Sequence, residues 1–313
     1  MDKNILILGY GPVGAATAEL LKDKHYKVTI AQRRSPKDLP EGLAFTPCDV
    51  LDRASVMSAF KKADQVVVSL GFQYDGKVWK QSWPLAMGNI LAAAEATGAR
   101  VVFIDNLYMY GPQSAPLTED MPLTSYGAKP STRAVITRMW QDAADAGAVK
   151  FAALRAPDFY GPGVSLSHLG TDVFNAIGDG KAAQLVMKPD VPHAFAYVPD
   201  IARAAVTLLE APDSDFGQAW HVPCAPAKTP RQMLNLAANA LGTKLRIQAL
   251  PLALIPVVGL FVPLLRGMTE MRFLFDRPYE VNADKFAKRF WGNATPFEVG
   301  MPKTALAARA AKL

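Results

Sequence analysis

ILILGYGPVGAATAEL, Ile5 to Leu20, is the stretch that decides the fold: an apolar strand, a turn carrying Gly9, Gly11 and Gly14, and a helix with small residues on one side. The G-x-G-x-x-G spacing has a separate reason at each place. Gly9 permits the tight turn, Gly11 lets backbone approach a bound pyrophosphate, and Gly14 lets the helix pack closely on the strand. The helix start then offers unbonded N–H groups and the positive end of its dipole, which together favour an anion. The turn is therefore expected to cradle the pyrophosphate of a dinucleotide, with Gly9, Tyr10, Gly11, Pro12, Val13 and Gly14 around it.

Working outward, apolar runs alternate with helical patterns. Strands are expected over 4–8, 27–31, 44–47, 65–70, 100–104 and 151–154, and helices over 15–21, 55–61, 84–97 and 130–146. Strands this apolar must be covered on both faces, which predicts an α/β fold with a Rossmann-type, doubly wound parallel sheet. After Gly163 the alternation weakens. Residues 165–188 read as a loop with one helix, 194–198 as a strand, 200–210 and 230–241 as helices, and 244–250 as a strand. The expected division is a dinucleotide-binding domain of residues 1–165 with 193–222, and a smaller substrate-binding lobe of residues 166–192 with 223–313. Ligands of such sheets lie at the carboxyl ends of the strands, where the lobe is expected to close over them.

Composition narrows the function. Lys and Arg number 34 against 28 Asp and Glu, a balance of +6 spread along 313 residues. No stretch interleaves the basic residues with stacking aromatics, so a basic surface is the simpler reading and no nucleic-acid partner is expected. Cys48 and Cys224 form neither a CxxC nor a metal-ligand spacing, so no disulfide framework and no metal site is expected, and the cytoplasm is the simplest location. Lys3 followed by an apolar run imitates a signal peptide, but Tyr10, Gly11 and Pro12 interrupt it. The most apolar stretch, ALPLALIPVVGLFVPLL at 249–265, holds three prolines and a glycine. It reads as buried or pocket-lining rather than as a transmembrane span, with a contact to a membrane surface left open. Assembly as a homodimer is compatible with the sequence.

The end of the second strand selects the cofactor. A site for NAD usually places an acid there to accept from the ribose 2′-OH. VTIAQRR, Val28 to Arg34, ends instead in Gln32, Arg33 and Arg34, with no acid before Asp38. Two guanidiniums suit a 2′-phosphate and cannot accept from a hydroxyl. NADP is expected, with NAD as the alternative. Asp49 and Val50, in CDVLD (48–52), either touch the adenine edge or belong to the turn before the next helix. Ser69, Leu70 and Gly71 end the fourth strand, where small residues let the chain pass the ribose and pyrophosphate.

Later motifs carry a family likeness. VVFIDNLYMYG (101–111) resembles the fifth strand and following turn of extended short-chain dehydrogenases/reductases, the NAD-dependent epimerase/dehydratase family. LRAPDFYGPG (154–163) is similar to that family's turn beside the nicotinamide, and HAFAYVPDIARA (193–204) to its return to the sheet domain. GQAWHV (217–222) and, more loosely, RFWGNATPF (289–297) also fit. The resemblance implies cofactor contacts at Ala156, Asp158 and Phe159. It also implies a catalytic set: a Ser or Thr that holds the substrate oxygen, a Tyr that moves a proton, and a Lys four residues on.

Here the set is altered. Asn106, preceded by Asp105, takes the Ser/Thr place; it can hydrogen-bond an oxygen but cannot relay a proton as a hydroxyl does. Tyr126 takes the Tyr place in TSYGAKP, but four residues on stands Pro130, and the lysine is Lys129. Because Pro130 marks the first helical turn, Tyr126 is expected in the preceding loop, where helical spacing cannot pair it with Lys129. Lys129 either fixes the ribose or is a solvated lysine. Tyr108 and Tyr110 flank the same turn and offer alternative phenols. Asp158 either meets cofactor or substrate or caps a turn, and His193 is either structural or part of the second lobe's mouth.

The leading expectation is an NADP(H)-dependent oxidoreductase acting on a small, partly hydrophobic carbonyl, alcohol or activated alkene. Tyr126 would donate the proton, Asn106 hold the oxygen and Lys129 hold the ribose. The alternatives are a sugar-nucleotide epimerase/dehydratase, and a binding protein that senses NADP(H) without catalysis.

Overall fold

The computed structural model describes residues 3–255, 259–260 and 267–312. Its contacts divide the chain into two units. One comprises the residues through Tyr110, Pro122–Arg155 and Ile201–Trp220; the other comprises Gly111–Met121, Ala156–Asp200 and the described residues from His221 on.

The first unit is built on β1 (Asn4–Leu8), α1 (Pro12–Asp23), β2 (Lys27–Gln32), β3 (Leu43–Pro47), α2 (Arg53–Phe60), β4 (Gln65–Val68), α3 (Gly76–Thr97), β5 (Arg100–Asp105), α4 (Ala128–Asp145) and β6 (Phe151–Arg155). Most of α6 (Val198–Glu210) belongs to it as well. With β10 (Gln218–His221) the strands form one sheet in the order β10-β6-β5-β4-β1-β2-β3. Every pair from β3 across to β6 is parallel. The winding reverses between β1 and β4, where Leu8 lies level with both Ala31 and Val68. That reversal opens a crevice beyond the carboxyl ends of β1 and β4, the usual ligand position in this architecture.

Burial explains the apolar runs. All four residues of β4 and all five of β6 are buried. Such strands need cover on both faces, and α3 and α4 supply part of it with Trp83, Met87, Ile90, Ile136 and Trp140. Trp140 stacks on Phe151 at 5.3 Å.

The expected helix over 84–97 is a correction. α3 starts at Gly76, two turns earlier, and carries Pro84 in its interior. A proline there removes one backbone donor and costs about 3 kcal/mol. The helix continues through it because the Asp75 carboxylate caps Lys77 N–H and Val78 N–H, and because Trp79 and Trp83 are buried on the added turns. In the rest of the first unit the element types agree with the sequence reading while the ends differ by a few residues, as with α1, which begins at Pro12; in the second unit the reading missed the helices Asp284–Arg289 and Phe297–Ala310.

In the second unit, β7 (Asp158–Tyr160) pairs in parallel with β9 (Phe195–Tyr197), and β8 (Ala183–Leu185) with β11 (Ile247–Ala249). The segment 165–188 thus holds a strand besides its helix α5 (Thr171–Gly178). α7 (Pro230–Ala240) opens with a capping box between Thr229 and Gln232. In the apolar stretch Leu252 and Ile255 are buried while Leu254 and Leu260 are exposed; 256–258 and 261–266 lie outside the described residues. Among the described residues no helix is long and apolar enough to cross a membrane.

The cut between units differs from the expected 1–165 with 193–222. Residues 111–121 belong with the second unit because Leu117 N–H donates to Glu280 O at 2.9 Å and Asn282 N–H to Leu117 O at 2.8 Å. Residues 156–165 and 193–200 follow because β7 and β9 pair with each other and not with the large sheet.

Candidate functional site

The glycine turn follows β1 and leads directly into α1. Gly9 has φ +95°, a region that side-chain-bearing residues avoid, and a Cβ there would lie 2.8 Å from Ser69 O. A Cβ on Gly14 would run into the Gly9 carbonyl oxygen and lie 2.6 Å from Ser69 Oγ. The fold itself therefore requires both glycines. Gly11 is different: its φ is an ordinary −78°, and a Cβ would meet nothing within 4 Å. Among the described residues no atom needs Gly11 to lack a side chain, whereas a phosphate lying against the backbone would. α1 has no side-chain cap on its first turn, so its leading N–H groups face that open space without a side-chain acceptor. These residues fit the pyrophosphate of a dinucleotide.

Two neighbours lock the turn. Ser69 Oγ donates to Gly9 O at 2.8 Å, so Ser69 braces the cradle as well as keeping it open. Tyr10 N–H donates to Gln32 Oε1 at 3.1 Å, and Gln32 Nε2 to Arg34 O at 2.8 Å. Both ends of the Gln32 amide are thus engaged within the protein, at the place where an acid would face a ribose. Arg33 and Arg34 beside it are exposed. The Asp49 carboxylate accepts from Leu51 N–H at 3.0 Å, a contact within the turn before α2. Val50 O accepts from the buried Asn89 of α3 at 3.0 Å, a brace the sequence reading missed. A Cβ on Gly71 would also meet nothing within 4 Å.

The end of β5 carries the altered signature. The Asn106 side-chain oxygen accepts from Tyr108 N–H at 3.0 Å, leaving the amide nitrogen as the group able to grip a substrate oxygen. Tyr126 lies before α4, as expected, and is 45% exposed. Its N–H donates to Thr124 Oγ1 at 3.0 Å, and Thr124 N–H donates to Met109 O at 2.8 Å, which ties this loop to the turn after β5. Lys129, in the first turn of α4, is fully buried with Nζ 4.6 Å from the centre of the Tyr74 ring. The solvated-lysine alternative is thereby excluded, because an enclosed ammonium must find its partners within the protein.

A buried ionic cluster behind this turn escaped the sequence reading. Arg133 Nη1 stands 3.2 Å from Asp105 Oδ1, and Arg155 Nε 3.8 Å from Asp105 Oδ2. Asp105 Oδ1 also accepts from Asn106 N–H at 2.8 Å. Arg155 donates to Tyr110 Oη at 2.6 Å. Burial pushes the Asp105 carboxyl up, against the pull of Arg133 and Arg155. A signal was present: Arg133 shares a helix stripe with Ile136, Thr137 and Trp140, all buried, and a cation on such a stripe needs an internal anion.

In the second unit Ala156 is buried, and Asp158 and Phe159 are partly buried on β7. Asp158 does not cap a turn. Its Oδ2 lies 2.9 Å from His193 Nε2, and His193 is buried and stacked on Tyr279 at 4.9 Å. Burial opposes ionisation of Asp158, but the hydrogen bond to His193 and the nearby His168 and His193 rings hold it below the usual carboxylate range. Burial lowers His168, whose ring meets Phe275 edge-on at 4.5 Å. Both directions disfavour acid. His168 resists a proton that the unfolded chain takes up below about pH 6.5, and Asp158 resists one taken up below about pH 4. Stability is therefore expected to fall as pH drops from about 6.5. Urea midpoints across pH should show the decline, and His168→Phe should flatten it above pH ~5; an equal slope in that variant would refute the assignment.

Three comparisons place these features. The model of the NAD dependent epimerase/dehydratase family matches residues 5–222. A comparison with curated proteins returned no match. Among solved structures, the UDP-N-acetylglucosamine 4-epimerase of Methanobrevibacter ruminantium M1, in complex with UDP-N-acetylmuramic acid, is 18% identical. The match covers 100% of this chain and 99% of that one at a TM-score of 0.82. The UDP-glucose 4-epimerase of Thermotoga maritima, with UDP-glucose, is 16% identical over 99% and 100% at 0.82. The UDP-glucose 4-epimerase of Thermus thermophilus, in complex with NAD, is 19% identical over 98% and 99% at 0.80.

Proposed function

Because the chain belongs to the NAD dependent epimerase/dehydratase family, we propose that it holds a nicotinamide dinucleotide on the Gly9–Gly14 turn and carries out redox chemistry at a hydroxyl or carbonyl carbon of a small molecule. The observation that carries this reading is the open face of Gly11, an absence of side chain that no atom of the described residues requires. The family is one of enzymes, which leaves the non-catalytic sensor without support.

When bound, the nicotinamide supplies or accepts a hydride; binding, orientation and proton movement fall to this chain. The cradle N–H groups take the pyrophosphate. Asn106 Nδ2 donates to the substrate oxygen, and a phenol at the same sheet edge, Tyr126 or Tyr108, moves the proton at its Oη. Lys129 contributes a buried cation near Tyr74, suited to holding the ribose side of the site.

Epimerisation or dehydration of a sugar nucleotide is the first reading, since the family description and the neighbours' substrates both favour it. Net reduction of a carbonyl is the second, favoured by the exposed Arg33 and Arg34 and by the engaged Gln32, which suit NADP. Incubation of the purified protein with each dinucleotide and a panel of UDP-sugars and simple carbonyls separates them. A rearranged sugar without net cofactor turnover supports the first, and consumption of NADPH the second. Failure to bind either dinucleotide would refute both.

Cofactor choice has its own expected result. A charge-assisted hydrogen bond contributes about 1.5–3 kcal/mol, so replacing both Arg33 and Arg34 by Ala should lower the NADP/NAD affinity ratio roughly tenfold to hundredfold. An unchanged ratio in fluorescence titration would remove the phosphate assignment.

A further inference from the structure

We propose that Gln32 is the positioning residue that ties the glycine cradle to the basic pair after β2. Through it, the turn under the pyrophosphate and the arginines that meet a ribose 2′-phosphate select the cofactor as one unit. The inference rests on the dinucleotide reading above and deepens it, by giving a neutral side chain the link between two parts of that site.

Gln32 ends β2, half-buried at the carboxyl edge of the sheet. The backbone around it is held from both sides. Gly9 N–H donates to Ala31 O at 3.0 Å, and Cys48 N–H donates to Gln32 O at 3.0 Å. The side chain therefore starts from a fixed point. Its Oε1 accepts from Tyr10 N–H, inside the cradle, at 3.1 Å, and its Nε2 donates to Arg34 O at 2.8 Å. One partner can only donate and the other only accept, so the two bonds also settle which way the amide is turned. The chain bends at Arg33 and Arg34, and the second bond holds that bend against the strand end it has just left.

The residue type follows from these two bonds. A glutamate would keep an acceptor for Tyr10 N–H but would set a carboxylate oxygen against the Arg34 carbonyl, with no proton between them. A methionine would fill the space and make neither bond. Arg33 and Arg34 are exposed, and side chains of this length lose much rotational freedom when a ligand orders them. Fixing the backbone that carries them lowers that loss before a phosphate arrives, which is how a neutral amide acts on the recognition of a charge.

The test is a double-mutant cycle on the NADP/NAD affinity ratio, read by fluorescence titration of the purified chain with each dinucleotide. The four proteins are the wild type, Gln32→Met, Arg33→Ala with Arg34→Ala, and the combination of all three. Gln32→Met should lower the ratio about fivefold or more, the effect of losing one hydrogen bond of ordinary strength. With both arginines already replaced, the same substitution should change the ratio by less than about twofold, because nothing is left for the amide to position. A ratio that holds in Gln32→Met overturns the proposal. An equal fall in the two backgrounds also overturns it, since the two effects would then be independent. If Gln32→Met does not fold, Gln32→Asn, too short to reach both partners, takes its place in the cycle with the same outcomes. Should replacing both arginines leave the ratio unchanged, the phosphate assignment fails and takes the proposal with it. Should that ratio fall while Gln32→Met holds it, the positioning role alone fails.

Discussion

Gly11→Ser is expected to fold at least as stably as the wild type and to bind its dinucleotide roughly ten- to a hundredfold more weakly, a loss of about 1.4–2.8 kcal/mol. Gly11 is the N-cap of α1 in extended backbone, a conformation serine also adopts. A serine hydroxyl there can accept from the first-turn N–H groups, which is worth roughly a few tenths of a kcal/mol over glycine at a helix start. Those same N–H groups are the ones a phosphate would use, and the new side chain occupies the open space in front of them. Gly14→Ala should behave in the opposite way. Its methyl meets the Gly9 carbonyl and Ser69 Oγ, and the carbonyl belongs to a backbone turn that cannot swing aside. Overpacking of this kind costs about 1–3 kcal/mol, measurable by urea unfolding without cofactor. If Gly11→Ser kept full affinity, the turn would be a structural feature and not a phosphate cradle. If Gly14→Ala lost no stability, the close approach of helix to strand would be wrong.

Asp105→Ala is expected to cost about 3–5 kcal/mol of unfolding free energy, because it strands two buried guanidiniums without an anion. The side chains concerned are almost wholly enclosed, with Asp105 at 0%, Arg133 at 6% and Arg155 at 2% exposure. Water therefore screens little of the interaction, and water is also unable to replace the lost partner. The substitution also removes the acceptor for Asn106 N–H, so the turn bearing Asn106 and Tyr108 should lose hydrogen-exchange protection. Asp105→Asn retains an oxygen for that bond but not the charge, and should fall between the two. A cost below about 1 kcal/mol for Asp105→Ala would mean that the arginines are held by their aromatic neighbours instead.

The glycine turn, the strand–helix alternation and the altered Tyr-Lys spacing were all legible because each is a pattern of near neighbours. A turn, an alternating run or a helix stripe is decided within a few residues, and Pro130 was enough to place Tyr126 ahead of α4. The start of α3 was not legible in this way. Pro84 is a local signal for a helix start, and only the Asp75 cap and the burial of Trp79 and Trp83 override it. Arg133 stood in the sequence as a cation on an apolar stripe, but its partners lie on other elements.

By itself, then, the sequence determined the order of the elements, the parallel sheet, and the cradle with its basic pair after β2. These rest on chirality, periodicity and the absence of a Cβ, which act within short stretches of chain. Only the tertiary structure decided that Gly9 and Gly14 serve the fold while Gly11 faces open space, because that distinction depends on where Ser69 arrives from a different strand. It alone also joined Asp105 at the end of β5 to Arg133 and Arg155. Ion pairs between distant parts of the chain form when the sheet brings strand ends together, and burial then makes them strong.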